Sequence, residues 1–232
     1  MSNHLLLVHG AWHNGNGFAM LRQELQQLGV TTSVVELSSV GEENAPLGDM
    51  YGDAAIVRSA VDELGGDCFV LAHSYGGLPV TEGLAGASNV KGLFFLTAFM
   101  LDRGESLFQA CGEQDPPWWV RSSDDSRLTA ATPVEVFYNT CESSVANEAA
   151  AQLRSQSLTS FLQPITKCAW GEIDSTYIVC TEDQAIPVQA QQAMAQRANQ
   201  TVTLETDHSP FLSDPKSLAR ILAERISQVD AR

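Results

Sequence analysis

The amino-acid sequence predicts an α/β protein in which a mostly parallel, twisted sheet is flanked by helices and carries an inserted helical cap. Apolar runs of strand length alternate with stretches of helical periodicity, and such alternation builds a parallel sheet with helices on both faces. The apolar runs have few interspersed polar residues, which is typical of strands buried on both faces. One stretch breaks the alternation, because the chain between Leu96 and Thr176 is far longer than a crossover helix requires.

Local patterns assign the elements that precede this long stretch. Val57, Ala60, Val61 and Leu64 fall on one helical face, which predicts an amphipathic helix. Pro79 falls in the first turn of the next predicted helix, where its missing N–H costs little. In order, the predicted elements are strand 5–8, helix 18–28, strand 32–37, a polar loop 38–50, helix 53–64, strand 67–72, helix 76–84 and strand 90–96.

The C-terminal part resumes the alternation. Asp214 is a predicted N-cap with Pro215 at the first helical position, and this pair starts the last helix. Its predicted buried stripe is Leu218, Ile221, Leu222 and Ile226. The elements before it are strand 176–180, helix 187–198 and strand 201–205.

We assign residues 1–100 and 168–232 to the core and residues 101–167 to a cap insertion. The insertion holds helical patterns at 133–140 and 144–153 and the sequence Pro116-Pro117-Trp118-Trp119. We expect it to cover the carboxyl ends of the strands, where ligands bind in open α/β sheets. Trp118 and Trp119 have two interpretations that stay open: they line a substrate pocket, or they anchor a small lid to the body.

Ser74 in LAHSYGG follows the predicted strand 67–72 and precedes a predicted helix. A strand that turns sharply into a helix crowds the backbones two residues before and after the turn, so both positions must be small. They are Ala72 and Gly76, which makes this a variant of the G-x-S-x-G nucleophile elbow. The alternative is a serine in an ordinary strand-to-helix turn.

A serine nucleophile needs a base, and the base needs an acid that fixes its tautomer. His208 lies after the last predicted strand and is the best base among the five histidines. Asp183 follows the preceding strand, so the chain order is serine, acid, histidine, as this architecture requires. Glu182 and Asp102 are the competing acids.

The oxyanion of an acyl-transfer reaction needs two backbone N–H donors. We predict that Tyr75, directly after the serine, supplies one and that Ala11, in the loop after the first strand, supplies the other. Gly10 lets the main chain of that loop approach the substrate. The candidate substrate-binding residues are Gly10, Trp12, Trp118 and Trp119.

Composition excludes several functions. The net charge of −15 repels nucleic acid and anionic lipid, so neither is an expected partner. The longest apolar stretch, 92–101, is about half of the roughly 20 residues that span a bilayer, and the N-terminus lacks a signal-peptide pattern. Five cysteines without paired spacing favour free thiols over disulfides or a metal site. These observations predict a soluble, cytoplasmic protein.

Four motifs, VHGAWHNG, AHSYGG, CTEDQAIP and DHSPFL, together resemble the α/β-hydrolase superfamily. Within it they are similar to the group of plant methyl esterases, plant hydroxynitrile lyases and their bacterial esterase relatives. The resemblance covers nearly the whole chain, is weakest at 101–167, and implies an α/β-hydrolase fold with a substrate pocket beneath the cap. The roles that it implies fall on Ser74 as nucleophile, Asp183 and His208 as its partners, and the amides of Ala11 and Tyr75 as the oxyanion hole.

The sequence therefore predicts a serine esterase that needs no cofactor or metal and hydrolyses a small carboxylic ester through an acyl-enzyme. A homodimer is compatible with this prediction. Two alternatives share the scaffold: a carbon–carbon lyase of the hydroxynitrile lyase kind, and a small-ligand receptor that retains the triad. The resemblance implies that such lyases carry a threonine in the first loop and a lysine after the histidine, where this chain has Gly10 and Ser209.

Overall fold

A computed structural model describes residues 4–230. The predicted core segments therefore extend beyond it at residues 1–3 and 231–232, which lie outside the described residues. The strands are β1 (His4–Val8), β2 (Thr31–Val35), β3 (Val40–Gly41), β4 (Cys68–His73), β5 (Val90–Leu96), β6 (Trp119–Arg121), β7 (Arg127–Ala130), β8 (Ser155–Ser157), β9 (Ser175–Cys180) and β10 (Gln200–Leu204). The helices are α1 (Ala19–Gln27), α2 (Met50–Leu64), α3 (Gly77–Gly83), α4 (Leu107–Ala110), α5 (Pro133–Phe137), α6 (Ser143–Ala151), α7 (Leu158–Leu162), α8 (Val188–Ala195), α9 (Pro210–Ser213) and α10 (Pro215–Asp230).

The main sheet has six strands in the order β10-β9-β5-β4-β1-β2, and every neighbouring pair is parallel. All six are the strands that the apolar runs predicted. Successive side chains of β1 enter different cores: Leu5 and Leu7 pack with α1 and α10, whereas Leu6 and Val8 pack with α2 and α3. Burial on both faces explains why the central strands β1, β4 and β5 are mostly apolar.

The strand order reverses next to β1, which pairs with β2 on one side and with β4 on the other. The loops that leave β1 and β4 therefore diverge at the carboxyl edge of the sheet and open a crevice between them. Crevices at such a reversal are the usual ligand sites of open α/β sheets. Ala11 lies in the loop after β1, and Ser74 follows β4 directly.

The cap differs from a purely helical insertion. The helices predicted at 133–140 and 144–153 are present as α5 and α6, but β6, β7 and β8 also lie in the insertion and form a small antiparallel sheet. Its fourth strand, β3, comes from the predicted loop 38–50 and pairs with β8. The segment expected to be a plain loop thus joins the cap to the core.

The predicted helix ends are largely confirmed. α10 begins at Pro215, and Asp214 caps it by accepting a hydrogen bond from the Ser217 amide at 3.1 Å. α2 begins at Met50, earlier than predicted, because Asp49 accepts from the Gly52 amide at 2.8 Å and caps it there. Within residues 4–230, no helix has the length and apolar composition that crossing a bilayer requires.

Candidate active site

Ser74 sits at the turn between β4 and α3 with a φ of 53°, in the left-handed region. A side chain there costs on the order of 1–2 kcal/mol, so the surrounding contacts must hold the turn. A Cβ on Gly76 would lie 2.7 Å from the carbonyl oxygen of His9, and one on Gly10 would lie 2.8 Å from Ser74 Cβ. Ala72 is fully buried. The small residues therefore allow the loop after β1 to lie directly against the serine.

His208 and Asp183 form a buried pair in which Nδ1 of the imidazole lies 2.7 Å from Oδ2 of the carboxylate. A carboxylate only accepts, so Nδ1–H donates and Nε2 is left as a proton acceptor. Ser74 and His208 line the same pocket. Among the described residues no hydrogen bond joins Ser74 Oγ to His208 Nε2, and in free enzymes such bonds often tighten only when substrate binds.

Several further donors fix the Asp183 carboxylate. Thr97 Oγ1 donates to Oδ2, and Gln191 Nε2 donates to the same oxygen at 3.2 Å. The amides of Ala185 and Ile186 donate to Oδ1 at 2.6 and 3.0 Å. A carboxylate held from both sides by neutral donors keeps one orientation toward the imidazole.

The competing acids lie elsewhere. The side chains of Glu182 and Asp102 are exposed, and the Asp102 carboxylate accepts from the amide of Arg103 at 2.7 Å. Asp207 is buried beside the histidine in sequence, but its Oδ2 accepts from the amide of Thr140 in the cap at 3.0 Å. Of these four acids, Asp183 is the one whose carboxylate is hydrogen-bonded to the candidate base.

Two buried histidines hold the loop that carries Ala11. His9 Nδ1–H donates to the carbonyl of Gly10 at 2.9 Å, and that carbonyl shares a peptide unit with the Ala11 amide. His13 Nδ1–H donates to the Ala11 carbonyl at 2.7 Å. Burial lowers the pKa of both imidazoles, that of His13 to about 3, so both stay neutral. The direction of the Ala11 N–H is thus set by its neighbours before any substrate arrives.

The pocket next to Ser74 is lined mainly by apolar and aromatic side chains. Ala11, Tyr75, Trp12, Trp118 and Trp119 all line it. Gly10 is not among the lining residues, since it packs behind them against Ser74 and His73. Because Gly10 has no side chain, it lets the loop after β1 lie close to Ser74.

Trp12 is the residue around which the cap is packed. Its amide donates to Gln156 Oε1 at 3.3 Å, its indole Nε1 donates to the carbonyl of Leu128 at 3.0 Å, and its carbonyl accepts from the Arg154 amide at 2.9 Å. Its ring also lies edge-on to Trp118 and Trp119, with centroids 5.3 and 6.2 Å away. The two tryptophans of the cap therefore both line the pocket and anchor the cap to the core.

Sequence reasoning missed several residues that support these groups. Thr97 had no distinguishing pattern, because its partner Asp183 lies 86 residues away in the chain. Gln191 lies eight residues after Asp183, but its sequence context did not mark it as a partner of that carboxylate. Asp53 had a signal that was not used: it lies four residues before Val57 on the apolar face of α2, where a carboxylate is out of place. Its side chain is fully buried.

Comparisons with known proteins identify the family of this chain. The sequence profile described as "Alpha/beta hydrolase family" matches residues 5–221. The chain is 30% identical over 239 residues to "Alpha/beta hydrolase nvfD" of Aspergillus novofumigatus, covering 94% of each protein. It is 25% identical over 256 residues to "Salicylic acid-binding protein 2" of Nicotiana tabacum, covering 95% of this chain and 96% of that protein.

Solved structures show the same architecture. The crystal structure of a pyrethroid hydrolase from Sphingobium faniae matches with a TM-score of 0.84 at 21% identity, covering 99% of each chain. A polyneuridine aldehyde esterase matches with a TM-score of 0.81 at 19% identity, covering 97% of this chain and 99% of that one. Identities this low establish a shared fold and nothing further.

Proposed function

This chain belongs to the alpha/beta hydrolase family and has its fold, and from that premise we propose that it is a serine esterase acting on small carboxylic esters. The observation that carries the proposal is the buried His208–Asp183 hydrogen bond of 2.7 Å at the pocket that Ser74 lines. Relatives named as methylesterases and esterases support the reaction class. The five cysteines are free thiols, which supports a reducing cytoplasm as the compartment.

The proposed reaction begins when Ser74 Oγ attacks the ester carbonyl and its proton passes to His208 Nε2. Asp183 stabilises the imidazolium that forms, while the amides of Ala11 and Tyr75 donate to the oxyanion. The tetrahedral intermediate collapses, the ester C–O bond breaks, and the proton moves from His208 to the leaving alcohol. Water then attacks the acyl-enzyme with His208 as its base, which releases the carboxylic acid and restores the serine.

The lining of the pocket supports an uncharged, apolar substrate. No Asp, Glu, Lys or Arg lines it in the described part of the chain, so a charged group would lose its hydration without gaining an ionic partner. Aromatic side chains, among them Trp118, Phe137 and Phe161, supply flat apolar walls.

Ser74→Ala tests the nucleophile. We expect the variant to lose covalent labelling by a fluorophosphonate and to lose several orders of magnitude in kcat, since the triad acts as a unit. The measurement is turnover of p-nitrophenyl esters that differ separately in acyl and alcohol length, with labelling read by intact-protein mass. Ser209→Ala is the matched control and should label like the wild type, because Ser209 is buried outside the pocket lining. Labelling that persists in Ser74→Ala would move the nucleophile elsewhere.

A comparison of wild-type protein with Ser74→Ala also distinguishes the esterase from the lyase and the receptor. Cyanohydrin cleavage needs a positive charge to stabilise departing cyanide, and none lines the pocket within residues 4–230. We therefore expect wild-type protein to hydrolyse p-nitrophenyl acetate over many turnovers and to release no Ser74-dependent cyanide from mandelonitrile or acetone cyanohydrin. Cyanide release that rivals ester hydrolysis would favour the lyase, and a single turnover would favour the receptor.

A further inference from the structure

The catalytic steps above do not use a fully buried carboxylate, Asp53, that is hydrogen-bonded to Tyr75. Asp53 in α2 is fully buried, and its Oδ1 accepts from Ser38 Oγ at 2.9 Å and from the Ser39 amide at 3.0 Å. Its Oδ2 accepts from Ser39 Oγ and, at 2.7 Å, from the phenol of Tyr75. All four donors are neutral. Burying a carboxylate away from water is unfavourable unless hydrogen bonds compensate it, so this placement calls for a reason beyond packing.

The first connection from Asp53 leads to the amide of Tyr75. The phenol is fully buried, and burial together with the charge of Asp53 raises its pKa well above the usual value, so it keeps its proton and donates. A side chain hydrogen-bonded at its far end cannot rotate freely about its own Cα. The hydrogen bond therefore restrains the residue whose N–H the proposed reaction uses.

The second connection leads to the other amide. Ser39 Oγ donates to Asp53 and accepts from Gln156 Nε2 at 2.9 Å. The oxygen of the same Gln156 amide accepts from the Trp12 backbone N–H at 3.3 Å. Trp12 directly follows Ala11, so this path ends one peptide unit from the other proposed donor to the oxyanion.

We propose that Asp53 is a positioning residue that fixes both oxyanion-hole amides, the Tyr75 amide through its phenol and the Ala11 amide through Ser39, Gln156 and Trp12. The proposal rests on the proposed function, because it assigns these two amides to the oxyanion. Asp53 itself does not line the pocket. Its effect follows from geometry: donors stabilise an oxyanion when they are already aimed at it, and losing one donor outright costs about 100- to 1,000-fold in kcat.

Tyr75→Phe and Asp53→Asn test this role. The first removes a single hydroxyl, and the second removes the charge while keeping the shape of the side chain. Since the amides are loosened and not deleted, we expect kcat to fall by about 10- to 100-fold, less than for a lost donor. KM should stay within about twofold, because oxyanion stabilisation belongs to the transition state. The affinity for an aryl trifluoromethyl ketone, whose reversible serine adduct carries an oxyanion, should fall in parallel with kcat.

Glu82→Gln is the matched control. Glu82 is also a buried acid, but it accepts from Thr166 Oγ1 and from the amides of Thr166 and Lys167, outside the pocket. Its loss should lower the melting temperature and leave kcat and ketone affinity unchanged. The double variant Asp53→Asn/Tyr75→Phe should lose no more activity than Asp53→Asn alone, since Tyr75→Phe removes a connection that Asp53→Asn already weakens.

The outcomes separate the two proposals. The Asp53 and Tyr75 variants could instead behave as Glu82→Gln should, with a lower melting temperature and wild-type kcat and ketone affinity. That result would show that the network has only a structural role. A rise in KM with unchanged ketone affinity would contradict the positioning role as well. If Asp53→Asn does not fold, Tyr75→Phe decides. A wild-type protein that neither turns over esters nor binds the ketone would overturn the proposed function itself.

Discussion

Asp183 shows how a single side chain can be prepared for its role by its surroundings. Its two oxygens accept from five groups: the hydroxyl of Thr97, the amide side chain of Gln191, the imidazole of His208 and two backbone amides. The four donors other than the imidazole carry no charge, so none of them competes with the imidazole for a salt bridge. The carboxylate is therefore ready to stabilise a positive imidazole and to fix its tautomer.

Replacing this acid should damage turnover more than folding. We expect Asp183→Asn to lower kcat by about 10³-fold or more, since the amide can no longer hold Nδ1–H of His208 and the wrong tautomer results. Asp102→Asn, at an exposed acid, should change kcat by less than about twofold. The comparison needs kcat for one p-nitrophenyl ester and a melting temperature for each variant. The reverse ranking of the two variants would place the acid after β5.

The candidate residues that chain order predicted are those at strand ends. Ser74, Asp183 and His208 follow β4, β9 and β10, and parallel strands bring their carboxyl ends to one edge of the sheet. Supporting residues such as Thr97 and Gln156 could not be predicted in this way. Their roles depend on contacts between segments far apart in the chain, which no local pattern encodes.

At the scale of elements, the turn from β4 to α3 leaves no space for a side chain at position 76. The Cβ that an alanine would add at position 76 would meet the carbonyl oxygens of His9 and Val8 at 2.7 and 3.0 Å. Both atoms belong to the backbone, so a rotamer change cannot relieve the contact.

Gly76→Ala should therefore push the loop after β1 away from the serine. We expect a loss of about 1–3 kcal/mol in the free energy of unfolding, typical of overpacking, together with a lower kcat. Denaturant unfolding and ester turnover measure the two effects. Gly66→Ala is the control, because nothing lies within 4 Å of the Cβ that it would add. Equal stability of the two variants would show that the backbone around position 76 can move to make room for the added Cβ.

Strands of the main sheet were predictable and those of the cap were not, for a physical reason. β1, β4 and β5 are almost completely buried, so their sequences are mostly apolar. β8 has the sequence Ser-Gln-Ser and is buried, yet its polar side chains give no strand pattern. It exists because β3 and β7 pair with it, and such pairing cannot be read from three residues.

At the scale of the whole molecule, buried histidines make stability depend on pH. Burial lowers the pKa of His9, of His13 and, together with the neighbouring His208, of His73. Unfolded, these side chains titrate near 6.5, so below that pH the unfolded chain binds protons that the folded chain excludes. Stability is therefore fully present above about pH 6.5 and is lost as the pH falls toward the lowered values.

We expect the free energy of unfolding to drop by up to about 1.4 kcal/mol per pH unit for each of these histidines below pH 6.5. Urea unfolding at pH 7.5, 6.5 and 5.5 measures the slope. The same series in 0.5 M salt is the control for the net charge of −15. Salt screens the repulsion between surface charges, whereas the contribution of the buried histidines to the slope should persist. His13→Gln should show a shallower slope. If the dependence of unfolding free energy on pH were the same in His13→Gln as in the wild type, His13 would not contribute to it.

The hydrogen bonds of Trp12 also limit the exchange of the cap between related proteins. Gln156, Leu128 and Arg154, all from residues 101–167, engage the amide, the indole and the carbonyl of this one residue of the core. A chimera that received a relative's cap without equivalent partners would leave up to three buried polar groups of Trp12 unpaired, each at a cost of about 1–3 kcal/mol. Recombination of caps between relatives is therefore tolerated only when the segment after β1 is transferred with them.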